Sequence, residues 1–301
     1  MLKKTLYFGN PVFLNTENEQ LKISIKNSTD VNSEKSVPIE DIGVVVIDHY
    51  GVVLTQSILS KLLENNVAVI ICNSSHLPNG LLLNLDGNSV QTEKFKSQVT
   101  SKKPLLKQLW QQTIKCKIYN QLVLLKNKGL PVANMEKWFD EVKSGDKGNL
   151  EARASVYYWK NLFPEELQFQ RDRYGEPPNN LLNYGYAILR AVVARALVGS
   201  GLLPTLGIFH KNKYNAYCLA DDVMEPYRPY VDRLVLQIVL KGVDINDLIK
   251  DLKKELLSIP TLDVIIEGKR SPLMVGVQRT SSSLARCFSG EDDKILYPKL
   301  I

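Results

Sequence analysis

Residues 104–126 read PLLKQLWQQTIKCKIYNQLVLLK. The apolar residues Leu105, Leu106, Leu109, Ile114, Ile118, Leu122 and Leu125 recur at helical intervals, so the stretch is expected to form one long helix. Lys107, Lys115 and Lys117 are expected on its polar face. Further helical patterns follow at 150–163, 181–198, 230–240 and 245–257, with Gly-, Pro-, Asp- and Asn-rich loops at 143–148 and 172–180. Upstream the pattern is different. Residues 21–25 alternate as a half-buried strand does, and 42–47 and 67–71 are continuous apolar runs suited to buried strands. Between them 54–63 has helical spacing, with Thr55 placed as its N-cap. The fold class expected is therefore α+β with two domains: a small β-sheet domain over 1–92, then a mainly α-helical domain over 93–301.

The chain has 301 residues, 44% of them hydrophobic, which is enough for a sizeable core. A net charge of +6 and a pI near 8.9 suit an acidic partner without demanding one. Cys72, Cys116, Cys218 and Cys287 are scattered, with no C-x-x-C pair. That disfavours a zinc knuckle and a disulfide framework and points to reduced thiols. The first ten residues turn polar too early for a signal peptide, and the most apolar segment, 186–209, is broken by Arg190 and Arg195. A soluble, cytoplasmic protein with no membrane partner is expected. There is no Gly-x-Ser-x-Gly elbow and no Walker loop, so neither serine-hydrolase chemistry nor ATP use is expected.

Three histidines can be weighed singly. His49 lies at a strand end and His76 in a polar loop, and both read as structural or exposed. His210 ends an apolar run and opens into Lys211-Asn212-Lys213, a place where an imidazole could serve as a ligand beside a phosphate path. The stretch 219–229, LADDVMEPYRP, packs Asp221, Asp222 and Glu225 together. If helical, Asp222 and Glu225 share a face and would share a cation, whereas Asp221 points elsewhere. Acids at a helix N-terminus also complement its dipole, and that explanation serves Asp221 and Asp222 well. It serves equally for Glu151, in the first turn of the helical pattern that follows Gly148 and Asn149.

Four segments in order change this balance: Asn149-Leu150-Glu151-Ala152, then PPNNLLNYGY at 177–186, then Gly207-Ile208-Phe209-His210, then 219–229. With them the chain resembles the CRISPR-associated endonuclease of the adaptation module, the integrase that inserts new spacers. The likeness extends to Leu6-Tyr7-Phe8-Gly9 and to 68–72, and the stretch from Val275 to Cys287 looks like the form associated with type II systems. The resemblance implies a metal held by Glu151, His210 and Glu225, with Asp222 and Asn179 in supporting positions. One imidazole among hard oxygens suits Mg²⁺ or Mn²⁺. It further implies a homodimer, formed through the N-terminal domain, in which two dimers flank a dimer of a small ferredoxin-like subunit to make a heterohexamer on double-stranded DNA. Candidate phosphate contacts are Lys211 and Lys213, flanking His210, with Lys102, Lys103, Lys107, Arg228, Lys269, Arg270 and Arg279. Two other readings stand beside this one: a non-catalytic DNA-binding scaffold of the same fold, and a metal hydrolase of small phosphoesters.

Overall fold

The structure, a computed structural model, describes residues 3–25 and 35–301. The expectation drawn from the first ten residues thus falls partly outside the described residues, at Met1 and Leu2. The chain divides into two compact units, 1–87 and 88–301. The boundary lies slightly upstream of the one expected from composition.

Among the described residues the first unit holds two four-stranded sheets and one α-helix. Strands β1 (Lys4–Phe8), β5 (Ile42–Ile47), β7 (Ala68–Cys72) and β8 (Pro78–Leu82) form one sheet in that spatial order. The first three run parallel and β8 is antiparallel to β7. Every residue of β5 is buried, as befits a central strand read from an unbroken apolar run. Strands β4 (Lys35–Pro38), β3 (Gln20–Ser24), β2 (Phe13–Glu17) and β6 (Val53–Leu54) form the second sheet. Helix α1 (Gln56–Glu64) starts where Thr55 Oγ1 accepts the Ile58 amide, the capping expected from sequence. Its Ile58 and Leu62 join Leu14, Leu21, Ile39, Ile42 and Val45 in one core. A single small sheet was expected. Two form because β2, β3 and β4 make a meander of their own, while β5 pairs with β1 and β7.

The second unit is helical: α2 (Gln91–Val99), α3 (Lys103–Asn127), α4 (Ala133–Glu141), α5 (Leu150–Leu162), α6 (Asn179–Gly199), α7 (Cys218–Met224), α8 (Arg228–Leu240), α9 (Lys250–Leu256) and α10 (Leu273–Phe288). A hairpin of β9 (Asp263–Ile266) and β10 (Lys269–Pro272) precedes α10. Helix α3 packs against α4, α5, α8 and the turn between α7 and α8, and α6 packs against α7, α8 and α10. Where α6 and α8 cross, Gly185 is required: a Cβ there would stand 2.6 Å from Val231 Cγ1. By length and composition α6 could cross a membrane, but 83% of its apolar window is buried inside the fold, so it is read as a core helix.

Helix α3 carries a polar stripe in this interior. Thr113 Oγ1 lies 2.9 Å from the Tyr297 hydroxyl. Cys116 Sγ reaches the Pro298 carbonyl at 3.1 Å. Asn120, fully buried, donates to the Pro226 carbonyl at 2.7 Å and accepts from the Leu300 amide at 2.9 Å. Buried amides of this kind fix register because each unmade bond would cost about 1–3 kcal/mol. Asn120 thereby pins the turn that holds Glu225. Lys117, expected on the polar face, is on this same buried stripe, 7% exposed. Its burial has a cause, described next.

Candidate active site

Helix α5 begins at a cap formed by a loop aspartate. Asp146 accepts the amides of Leu150 (Oδ1) and Glu151 (Oδ2), each at 3.0 Å, and Asn149 takes a left-handed conformation to make the turn. The N-terminal amides are thus satisfied by Asp146, and the Glu151 side chain is left for another task. It extends to Lys117, whose Nζ lies 2.5 Å from Glu151 Oε1.

Glu225 arrives at the same ammonium from the opposite side. After α7 the chain passes through a 3-10 turn, Glu225–Tyr227, before α8 begins. That turn buries the carboxylate to 5% exposure and sets Oε2 2.7 Å from Lys117 Nζ. The two meet as a close ion pair in the interior, so the charge of Glu225 Oε2 is compensated by the Lys117 ammonium. Arg228 Nε stands 3.1 Å from Oε1, and its guanidinium lies over the Tyr186 ring at 4.7 Å. Burial alone would push the Glu225 carboxyl upward. The Arg228 and Lys117 charges outweigh it and hold the carboxyl below its ordinary value. Burial likewise pulls the Lys117 ammonium down, and Glu225 and Glu151 together hold it above its ordinary value.

His210 is held by Asp222. This carboxylate, fully buried on α7, accepts the Phe209 amide at 2.8 Å, the His210 amide at 3.3 Å and His210 Nδ1 at 2.5 Å. Gly207 allows the close approach, since a Cβ there would meet Asp222 Oδ2 at 2.8 Å. Trp110 and Phe209 stack at 4.3 Å, and the His210 ring meets Trp110 edge-on at 5.8 Å. With Nδ1 engaged, Nε2 is the nitrogen left for a ligand, an arrangement common to metal-binding histidines. The Asp222 hydrogen bond raises the imidazole pKa against the pull of partial burial, and the Asp222, Glu225 and Asp221 charges add to the rise.

The remaining expected residues separate. Asp221 pairs with Arg190 Nε at 2.7 Å and Asn215 Nδ2 at 2.7 Å, facing away as expected. Asn179 is buried but supports the segment before α6: it accepts from Arg171 at 2.8 Å and donates to the Gln170 and Glu176 carbonyls. Lys103, Lys107 and Lys211 line one cavity of about 250 Å³ with Trp110 and Phe209, beside His210. Lys213 lies over the Tyr214 ring at 4.8 Å. Arg228, Arg270 and Arg279, also considered as phosphate contacts, form ion pairs with Glu225, Asp263 and Glu267. Among the described residues no three His, Cys, Asp or Glu side chains stand together as a metal-holding group. The two glutamates meet at an ammonium instead. Lys117 and Asp146 are the residues that sequence reasoning missed. Asp146 had a visible signal, an acid four residues before the helical pattern.

Below the site Asp232, buried on α8, accepts the hydroxyls of Tyr158 (2.8 Å) and Tyr186. Burial pushes its carboxyl from about 3.8 to about 7, against the pull of those donors. Near pH 3.8 and below, folded and unfolded chains both hold the proton. As pH rises toward 7 the unfolded chain releases it first, so stability falls through that window and the cost is complete above it. Asp232→Asn should remove this fall, worth at most about 4 kcal/mol. Urea melts of both proteins at about pH 4.5 and about pH 8 measure it. Parallel pH slopes would show that the shift is absent.

Residues 6–267 match the family described as CRISPR associated protein Cas1. A CRISPR-associated endonuclease Cas1 of Neisseria meningitidis serogroup C is 35% identical over 250 residues, which is 82% of this chain and 81% of the relative. Among solved structures, a casposase bound to integration product superposes with a TM-score of 0.79 at 20% identity, covering 98% of this chain and 92% of the other. A chain of a Cas6-RT-Cas1–Cas2 complex gives 0.76 at 19% identity, over 99% of this chain and 36% of that one. This α+β fold, with its strands ahead of a helical unit, is that of the Cas1 proteins, and the chain belongs to the Cas1 family.

Proposed function

We propose that this protein is a metal-dependent DNA endonuclease and integrase of CRISPR adaptation, of the type II form, using Glu151, His210 and Glu225. The observation that carries the reading is the convergence of Glu151 and Glu225 on one buried cation. Two hard carboxylate oxygens gathered about a stand-in ammonium suit Mg²⁺ or Mn²⁺. His210 Nε2 would complete the set, with Asp222 fixing the ring. A bound divalent cation supplies positive charge to the scissile phosphate and the departing oxygen.

In strand transfer the 3′-hydroxyl oxygen of the incoming DNA attacks a target phosphorus. One P–O bond forms, another breaks, and the target strand leaves with a new 3′-hydroxyl that takes up the proton. Water in place of the 3′-hydroxyl gives nicking. Lys103, Lys107 and Lys211 would hold flanking phosphates, giving affinity with little sequence choice. Lys213 is a further contact of this kind. The N-terminal unit would form the homodimer. Two dimers would flank a dimer of a small ferredoxin-like subunit in a heterohexamer in the cytoplasm; a Cas2 partner for this chain is supported by the Cas1–Cas2 complex among the structures of similar fold.

One observation favours the scaffold alternative, a DNA-binding subunit without chemistry: the two glutamates already have Lys117 as counter-ion. Joining of a labelled 3′-hydroxyl oligonucleotide to a supercoiled repeat plasmid separates the two. With Mn²⁺ or Mg²⁺ the purified protein is expected to join and nick, and excess EDTA should abolish both. Tight DNA binding without any joined or nicked product, with or without metal, would leave the scaffold reading standing.

A further inference from the structure

We infer that Lys117 is a positioning residue that acts as a built-in competitor for the divalent cation: it occupies the cation position between Glu151 and Glu225 and sets how tightly the site binds metal. The inference rests on the assignment of those two glutamates as ligands. Its basis is placement. Lys117 projects from the middle of α3, where nothing local calls for a charge, and is 7% exposed among Thr113, Asn120 and Gln121. Its Nζ meets oxygens of two carboxylates borne by separate elements, at 2.5 and 2.7 Å. An unpaired ammonium so buried would be strongly disfavoured, and so would two facing carboxylates without a cation. The three groups are stable only as a set.

A divalent ion would use the same oxygens. Glu151 Oε1 spends a lone pair on the Lys117 ammonium, and Glu225 Oε2 faces it closely. A metal at bonding distance from both oxygens would lie against Nζ, like charge on like charge, with the Arg228 guanidinium adding a further positive neighbour at Glu225 Oε1. Metal entry therefore requires the ammonium to withdraw, for which its flexible four-carbon stem is suited. Before metal arrives, the same ammonium keeps the two carboxylates from springing apart, so the ligands are already gathered.

Mn²⁺ binding followed by electron paramagnetic resonance at fixed pH tests this on the full chain without any assay of DNA chemistry. Lys117→Gln, which keeps hydrogen-bond donors and loses the charge, and Lys117→Met should each bind Mn²⁺ about tenfold or more tightly than wild type, because a competing charge has gone. Their metal-free melting temperatures should fall, and Mn²⁺ should raise them by more than it raises wild type. Lys117→Met that folds only in the presence of Mn²⁺ would meet the same expectation. If Glu225→Gln loses Mn²⁺ while Lys117→Gln binds no more tightly than wild type, the inference fails and the ligand assignment stands. If Glu225→Gln binds Mn²⁺ as wild type does, the ligand assignment itself fails and the inference with it.

Discussion

Glu225→Gln is expected to reduce strand transfer and nicking by about 10³-fold or more, an effect of the size seen when charge stabilisation at a reacting phosphate or carbonyl is removed. The side chain keeps its shape and loses only its charge. Its position is the most constrained in the site. It is buried, fixed by a turn that Asn120 holds through the Pro226 carbonyl, and it faces Lys117 and Arg228 together. Removing that charge leaves the buried Lys117 with only Glu151 close to it and the half-buried Arg228 without its carboxylate. A loss of about 3–5 kcal/mol in stability accompanies the breaking of such a pair. Activity and stability must therefore be read separately, by the joining assay at a temperature well below the melt and by urea denaturation. A folded Glu225→Gln protein that joins DNA at the wild-type rate would remove Glu225 from the chemistry.

Asp222→Ala is the second large effect. Three donors converge on this fully buried carboxylate, two of them backbone amides of the loop that presents His210. The truncation leaves those amides unsatisfied and frees the imidazole to rotate. Stability should fall by about 3 kcal/mol or more, given about 1–3 kcal/mol for each stranded group. Metal-dependent activity should fall by about 10–100-fold, the usual loss when the partner of a metal-binding histidine goes. Asp222→Asn, which keeps an acceptor for one of the three, should lie between. Denaturant melts alongside the joining assay would show it. Full activity in Asp222→Ala would mean that His210 needs no orienting partner.

Much of the fold was legible where one period dominated. The run at 42–47 is β5, and the helical patterns near 104–126, 150–163 and 181–198 are α3, α5 and α6 within a residue or two at most of their ends. The pattern at 245–257 shrinks to α9, Lys250–Leu256, since the segment before it is bends and turns. Helix α2 escaped because QTEKFKSQV has almost no apolar stripe, and its anchor is polar: Gln98 bonds the Leu203 and Leu206 carbonyls. Helix α10 carries Thr280 and three consecutive serines, a loop-like composition. Yet Thr280, Ser281 and Ser283 are fully buried, since small side chains permit close packing against α6. The acids of the candidate site were named through the resemblance that four segments carry, since local pattern read Glu151 as a capping acid, and their partners were not legible at all. Lys117 lies 34 residues from Glu151 in sequence, and a helix period says only that it is polar. Whether a polar residue faces water or an acid is settled by packing, which no local window contains.

The buried stripe of α3 carries one more implication, for how this gene can tolerate change. Thr113, Cys116, Lys117 and Asn120 fall on successive turns, and together they grip three distant segments: the C-terminal stretch at 297–300, the turn at Glu225 and Pro226, and the start of α5 at Glu151. A helix advances about 100° per residue. Inserting or deleting one residue between Thr113 and Asn120 would keep the helical character, yet swing the grips on one side of the change out of phase with those on the other. Length variation within this stretch is thus filtered by rotational phase, whereas the loops on either side of the helix are free to drift by single residues.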